Sequence, residues 1–221
     1  YAIDNAGPAK VAQVRAVAVT SVTASIAWDD VPDDDFSYFT AKYYPSEDNK
    51  AVRTATTSST LGVNLTDLTP DTEYTIEVAA VDIYNNYGEY SEPFTFTTVS
   101  DTNAPVISSV RPEPSYFNKS IPLSVSALDD YSIASVTIQA SQSNEKDAEW
   151  SDVAVIKNEK GGRSFTASYD LDLADYKDGK LYIKAFAVDA AGNTGVDSPV
   201  YAYVIDKTAP EAPTAFKASS D

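Results

Sequence analysis

The fold of this chain is decided by the segment LTPDTEYTIEVAA, residues 68–80. A Pro-Asp turn opens the segment, because proline fixes its own backbone and aspartate accepts hydrogen bonds from nearby amides. After the turn the apolar residues alternate, so Tyr74, Ile76 and Val78 share one face of an extended strand. One apolar face indicates a sheet that packs against a core on one side and meets solvent on the other.

The same alternation recurs along the 221 residues. Further apolar faces are formed by Val22, Ala24, Ile26 and Trp28, by Ile121, Leu123, Val125 and Ala127, and by Leu181, Ile183, Ala185 and Ala187. Turns rich in Asp, Asn, Gly and Pro separate these strands, and no convincing amphipathic helix pattern occurs. The sequence therefore predicts an all-β protein made of antiparallel β-sandwiches.

A short pattern, Asp-x-x-Ala/Gly-Pro, divides the chain into modules. It occupies residues 4–8, 101–105 and 206–210, at intervals of 97 and 105 residues. Each interval suits one small β-sandwich domain. Because proline stops a central strand, each copy of the pattern marks a joint between modules.

The two ends of the chain resemble each other at an offset of 202 residues. Tyr1, Ile3, Asp4 and Pro8 correspond to Tyr203, Ile205, Asp206 and Pro210. Such self-similarity predicts an alternating array of two module types. The predicted divisions are the end of a preceding module at residues 1–7, a first domain at 8–100, a second domain at 101–205, and the start of a following module at 206–221.

Composition limits the possible functions. The chain has no Cys, which favours a bacterial secreted or wall protein over an animal extracellular protein. Its net charge is −17, with −10 in the first module and −6 in the second. Nucleic acid and anionic lipid would be repelled, and no apolar run reaches the length of a membrane span. We expect an extracellular monomer, at the bacterial surface or secreted, with no nucleic-acid partner and no membrane insertion.

The first module resembles a fibronectin type III domain. Trp28 stands at the end of the predicted second strand, and residues 68–74 fit the Leu-x-Pro-x-Thr-x-Tyr segment of that family. The resemblance implies that Tyr74 is the tyrosine of a corner, with its hydroxyl bonded to the backbone upstream. No Arg-Gly-Asp triplet is present to support integrin binding.

The second module is similar to bacterial Ig-like domains that alternate with fibronectin type III repeats, and a cadherin-like domain is the alternative. The segments that carry the resemblance are ALDD at 127–130, VTI at 136–138, AVDAAGN at 187–193 and YVID at 203–206.

Two groups of acidic residues could bind Ca²⁺, which takes six to eight oxygen ligands. Residues 29–35 contain five Asp, but they lack an Asp-x-Asp-x-Asp-Gly loop, so we favour a solvated loop in which Asp forms turns. The second group, by analogy with cadherin-like joints, consists of Asp101, Asn103, Asp129, Asp130 and Asp189.

A structural alternative exists for Asp189. Both modules contain the spacing Asp-x-x-x-Asn-x-Gly, at residues 82–88 and 189–195. Its presence in two module types favours a turn in which Asp bonds loop amides and Gly supplies a positive φ. We therefore expect no cofactor, with Ca²⁺ as the alternative.

No catalytic grouping is evident. The chain has no His and no Cys, which excludes Ser-His-Asp and Cys-His groupings and the common zinc sites. We expect these modules not to be an enzyme. Tyr84, Tyr87 and Tyr90 cluster at one predicted hairpin, where they could bind a glycan or protein or pair across strands.

The interpretation is a structural spacer in a multi-module bacterial surface or secreted protein, positioning an adhesive or catalytic domain. Its partners would be the neighbouring modules of the same chain. One alternative is an adhesion module that binds a glycan or a host or cell-wall protein through the three tyrosines. The other is a pair of accessory domains from an extracellular hydrolase.

Overall fold

A computed structural model describes residues 5–58 and 60–211. These residues form fifteen β-strands and no helix, which confirms the predicted all-β fold of tandem sandwiches. The chain divides into two compact units between Thr102 and Asn103. In the described part of the chain, no helix is long and apolar enough to cross a membrane. The predictions for residues 1–3 and for the chain after residue 211 lie outside the described residues.

The first unit contains seven strands in two antiparallel sheets. The strands are β1 (Arg15–Val19), β2 (Ala24–Ala27), β3 (Phe36–Pro45), β4 (Arg53–Thr57), β5 (Gly62–Leu65), β6 (Glu73–Asp82) and β7 (Phe94–Thr97). One sheet has the order β1-β2-β5 and the other has the order β4-β3-β6-β7.

The period-two alternation places one face of each sheet in a common core. Ile26 and Leu65 come from the three-stranded sheet, Phe39 and Ile76 come from the four-stranded sheet, and each is at most 2 % exposed. Trp28 meets Phe39 edge-on, with ring centroids 5.4 Å apart. Burial of one such side chain contributes roughly 1.5–3 kcal/mol, so this core is the main source of stability.

Tyr74 fixes the turn that precedes its own strand. The Thr69 amide donates a hydrogen bond to the Tyr74 hydroxyl at 3.0 Å, and the Tyr74 ring stacks on Phe96 at a centroid distance of 5.8 Å. This is the backbone bond that the sequence resemblance implied for a tyrosine corner.

The second unit contains eight strands in two sheets. The strands are β8 (Val106–Arg111), β9 (Tyr116–Phe117), β10 (Ser120–Leu128), β11 (Ile133–Ser141), β12 (Ser151–Lys157), β13 (Ser164–Asp172), β14 (Gly179–Asp189) and β15 (Tyr201–Ile205). The sheet orders are β13-β10-β8 and β12-β11-β14-β15-β9, and only the β15–β9 pair is parallel among the described strands.

The buried core of the second unit is aliphatic except for one tyrosine, whose hydroxyl is hydrogen-bonded to the backbone. Ile121, Ile138 and Ile183 are fully buried. The Tyr203 hydroxyl donates to the Pro112 carbonyl at 2.8 Å, and burial raises the pKa of Tyr203 to about 12. Tyr203 is therefore a neutral core residue at physiological pH.

In the first unit the chain arrives at one end of the sandwich and leaves at the other. Pro8 lies against Gly88, beyond the C-terminal end of β6. Ser100 donates from its hydroxyl to Asp71 at 2.6 Å, just before the start of β6. The ten residues of β6 separate these two ends by roughly 30 Å at about 3.4 Å per residue.

The second unit has the same arrangement along β14. Pro105 lies against Gly195, beyond the C-terminal end of that strand. The Lys207 amide donates to Asp178 at 3.1 Å, immediately before β14 begins. The chain is thus fastened at both ends of each sandwich.

Candidate functional site

In the first unit, the Asp-x-x-x-Asn-x-Gly spacing builds the turn after β6. Asp82 is 1 % exposed, and its Oδ1 accepts hydrogen bonds from the amides of Tyr84 and Asn86, both at 2.8 Å. Its Oδ2 accepts from Asn86 Nδ2 at 2.8 Å. Burial acts to raise the pKa of Asp82, but the hydrogen bonds from Asn86 and Tyr84 outweigh it and hold the pKa below its usual value.

The second unit builds the same turn after β14. Asp189 is 2 % exposed, and it accepts from the Asn193 amide and from Asn193 Nδ2, both at 2.8 Å. Asn193 Nδ2 also donates to the Asn103 carbonyl at 3.2 Å. The turn therefore also holds the segment through which the chain joins this unit, a contact that the sequence did not predict.

Gly88 and Gly195 are required by close approach and not by their own dihedral angles. A Cβ on Gly88 would overlap the Pro8 carbonyl oxygen, and a Cβ on Gly195 would overlap the Pro105 carbonyl oxygen. The expectation that these glycines supply a positive φ is wrong. Within the two turns, the positive angles occur at Asn85, with φ 64°, and at Gly192, with φ 92°.

A serine completes the motif in each unit, and the sequence analysis missed it. Ser91 and Ser198 each follow the motif aspartate by nine residues. The Ser91 hydroxyl accepts from the Val78 amide, and the Ser198 hydroxyl accepts from the Ala185 amide, both at 3.0 Å. The equal spacing was the signal that could have revealed them.

The five Ca²⁺ candidates do not all lie in one unit. Asp101 is at the end of the first unit and is 5 % exposed. Asn103, Asp129, Asp130 and Asp189 lie in the second unit, where Asn103 Nδ2 donates to Asp130 Oδ2 at 2.7 Å. Asp129 and Asp189 bring carboxylate oxygens within 4.8 Å of each other.

Much of the bonding capacity of these carboxylates serves loop amides. Asp129 Oδ1 accepts from the amides of Tyr131 and Ser132, at 2.8 and 2.7 Å. Asp129 Oδ2 and Asp130 Oδ1 are enclosed and accept no hydrogen bond from the described residues. Of these two residues only Asp129 lies beside Asp189 in a group of carboxylates that could hold a cation, and the Ca²⁺ hypothesis stays a prediction.

The three tyrosine candidates have different environments. Tyr84 and Tyr87 are 62 % and 57 % exposed, whereas the Tyr90 ring is half-buried under the Lys42 ammonium, 4.1 Å from the ring centroid. Tyr87 instead pairs with Tyr38, which the sequence analysis did not single out, and their hydroxyl oxygens are 3.4 Å apart. This hydrogen bond, together with burial, raises the pKa of Tyr38.

The Gly195→Ala substitution tests the contact between turn and joint. The added methyl group would overlap the Pro105 carbonyl, so we expect the unfolding free energy of the second unit to fall by about 1–3 kcal/mol. Urea unfolding followed by circular dichroism measures this loss. The neighbouring Val196→Ala, at a residue 80 % exposed, should change stability by less than about 0.5 kcal/mol. Equal effects of the two substitutions would contradict the contact.

Asp82 should make the stability of the first unit depend on pH. Because its folded pKa is lowered from 3.8, its contribution is complete above that value and is lost as the pH falls through the folded pKa. We therefore expect Asp82→Asn to flatten the fall in unfolding free energy between about pH 5 and pH 2.

The measurement is urea unfolding at a series of pH values, followed by Trp28 fluorescence in a Trp150→Phe background. Glu89→Gln, at an exposed acidic residue, is the control that should keep the wild-type profile. Parallel profiles for wild type and Asp82→Asn would show that Asp82 carries no such contribution.

The Ca²⁺ hypothesis predicts a rise in the melting temperature of the second unit when millimolar Ca²⁺ is added after EDTA treatment. Asp129→Asn should abolish the rise, because it removes one of the two enclosed oxygens that lack a donor. Glu159→Gln, at an exposed site, should leave the rise intact. An unchanged melting temperature in the wild-type protein would reject a stabilising site.

Comparison with known proteins gives one family match. Residues 9–97 match the model of the fibronectin type III domain. A search of curated proteins finds no match.

Three solved structures are among those similar to this chain. One is described as "Myokine structure" and is 27% identical over 42% of this chain and 98% of that chain, with a TM-score of 0.38. The FN5 domain of Drosophila Lar is 22% identical over 42% of this chain and 99% of that chain, with a TM-score of 0.37. The chicken CNTN1 FN1-FN3 domains are 16% identical over 94% of this chain and 70% of that chain, with a TM-score of 0.41. The family match, from before β1 to the end of β7, confirms the resemblance of the first unit to fibronectin type III domains.

Proposed function

We propose that the two units are non-catalytic spacer modules of a bacterial surface or secreted protein, and that they hold an adhesive or catalytic domain at a distance. The observation that carries this proposal is that close contacts or hydrogen bonds hold the chain at both ends of each sandwich. A spacer must keep its neighbouring modules at a fixed distance and orientation, and loosely held chain ends would allow each module to rotate. We assign the second unit to the bacterial Ig-like domains because it contains the segments ALDD, VTI, AVDAAGN and YVID. Its partners would be the neighbouring modules of the same chain.

The link between the units is short. Ser100 is bonded to Asp71 of the first unit at 2.6 Å, and Asn103 is bonded to Asp130 of the second unit at 2.7 Å. Only two residues of the chain lie between Ser100 and Asn103. So few residues provide little length for bending, which supports a semi-rigid connection.

The far end of the second unit is also fastened. The Lys207 ammonium donates to the carbonyl oxygens of Leu173, Ala174 and Tyr176 at 2.6, 3.2 and 2.6 Å. Thr208 donates to Asp178 at 2.7 Å. Because three carbonyls of one turn hold one ammonium, the chain leaves this unit from a fixed point.

The strand order of the second unit suits a tethered module. β9 is the second strand of the unit along the chain, and it pairs in parallel with the last strand, β15. Two flanking hydrogen bonds extend the pairing, from Val204 to Ser115 at 3.0 Å and from Asp206 to Phe117 at 3.0 Å. Opposite forces on β9 and β15 would load these bonds together instead of one after another.

Distance measurements between spin labels test the spacer proposal. The chain has no Cys, so Val17→Cys and Val155→Cys, at sites 69 % and 58 % exposed, would label one position in each unit. We expect a distance distribution about as narrow as that of a pair within the second unit, Val155→Cys with Val196→Cys.

A Gly-Gly-Ser insertion after Thr102 provides the flexible reference. Insertion should broaden the distribution between the units and leave the pair within the second unit unchanged. If the native link already gives a distribution as broad as the insertion, the units are flexibly tethered and the spacer proposal is wrong.

A further inference from the structure

An exposed aromatic turn stands beside an acidic loop in the first unit. The aromatic turn, residues 83–87, presents Ile83, Tyr84 and Tyr87 at 59, 62 and 57 % exposure. The acidic loop, residues 29–35, contains five Asp. The Ile83 amide donates to the Asp35 carbonyl at 2.9 Å, so the two segments are held together.

The aromatic side chains are not needed to form the turn. The second unit builds the same turn, with the same Asp–Asn hydrogen bonds and the same bridge after the strand. At the positions of Ile83, Tyr84 and Tyr87 it has Ala190, Ala191 and Thr194. Because small residues suffice there, the turn itself does not require the three large side chains of the first unit.

The aromatic turn is also pre-organised. Asp82 fixes it through three hydrogen bonds, and Tyr87 is bridged to Val81 on β6. Tyr38 pairs with Val81 from the other side, which leaves Val81 fully buried beneath this face. A turn whose backbone is already held loses little conformational entropy when a partner binds.

The acidic loop gives this surface an unneutralised negative charge. Arg15 pairs with Asp29 at 3.2 Å. Within the described residues, no Lys or Arg forms an ion pair with the exposed Asp30, Asp33 or Asp34. Residues 4–100 as a whole hold 15 acidic and five basic side chains. The field over this face therefore attracts cations.

The same sheet already binds one cation in this way. The Lys42 ammonium lies 4.1 Å from the centroid of the Tyr90 ring and 3.0 Å from Glu77 Oε2. An ammonium between a ring face and a carboxylate gains both a cation–π and an ionic interaction. The aromatic turn and the acidic loop offer the same pair of groups to a cation from outside the chain.

We propose that the aromatic turn and the acidic loop together form a docking surface for a basic segment of a partner protein, in which Lys or Arg side chains flank an apolar residue. The carboxylates would pair with the cations while Ile83, Tyr84 and Tyr87 cover the apolar residue. A second copy of this chain, with its net charge of −17, would be repelled. The docking surface is independent of the spacer role and would exist in the first unit alone.

The probe is a synthetic peptide of four Arg-Leu-Gly-Ser repeats, and its affinity is measured by calorimetry at about 0.15 M salt. Tyr84→Ala with Tyr87→Thr gives the first unit the residues of the second unit's turn, so this variant should fold. We expect it to raise Kd at least about tenfold, since exposed aromatic anchors carry much of the energy of such contacts. Tyr116→Ser, at a tyrosine 74 % exposed in the second unit, should leave Kd unchanged.

A charge-matched pair separates docking from general attraction. Asp30→Asn with Asp33→Asn and Asp34→Asn should weaken binding about tenfold, as expected for charges within an interface. Glu145→Gln with Glu159→Gln and Asp175→Asn removes the same charge from exposed sites of the second unit and should change Kd less than about twofold. Thermal unfolding confirms that each variant is folded.

Three outcomes would overturn the proposal. The first is equal weakening by the two charge variants, which would show unspecific attraction. The second is no measurable binding of the peptide to the wild-type protein. The third is binding of neutral oligosaccharides on a glycan array that Tyr84→Ala with Tyr87→Thr abolishes while peptide binding persists, which would make this face a glycan site.

Discussion

A buried carboxylate at the end of the central strand of each unit is the constraint on which the rest of the structure depends. Asp82 and Asp189 are almost completely enclosed, and an enclosed carboxylate is costly unless donors replace the water it has lost. In both units an asparagine four residues later supplies a backbone amide and a side-chain amide. To bring both donors to the carboxylate, the chain must reverse within those four residues. The carboxylate therefore determines the shape of the turn and the path of the chain that follows it.

Once formed, this turn determines where the preceding segment of the chain attaches to each sandwich. Two residues beyond the asparagine, Gly88 and Gly195 leave room for the carbonyl of a proline in the preceding joint. The proline of the Asp-x-x-Ala/Gly-Pro pattern and the glycine of the Asp-x-x-x-Asn-x-Gly pattern are far apart in the sequence, yet in each unit they are in contact. The proline of the first pattern and the glycine of the second are therefore two parts of one attachment within each unit.

The sequence predicted the features that depend on neighbouring residues. Period-two alternation located the core faces, because the side-chain direction of a strand is a local property. The turn chemistry of Asp82 and Asp189 was also predicted, since their donors lie within four residues. The reason for a glycine at position 88 was not predicted, because the carbonyl that excludes a Cβ there belongs to Pro8, on a distant segment of the chain. The burial of Tyr90 was missed for the same reason, since Lys42 covers it from a neighbouring strand.

The shared attachment also explains how the two units can differ so much on their surfaces. The bonds that form the turn involve the backbone, the Asp–Asn pair and a glycine, so the side chains that point outward are under no constraint from it. The second unit fills those positions with alanine and threonine, and the first unit fills them with isoleucine and tyrosine. An exposed isoleucine and two exposed tyrosines carry a cost in water that small residues avoid. Because the turn forms without these three side chains, we infer that their role is in contacts with another molecule.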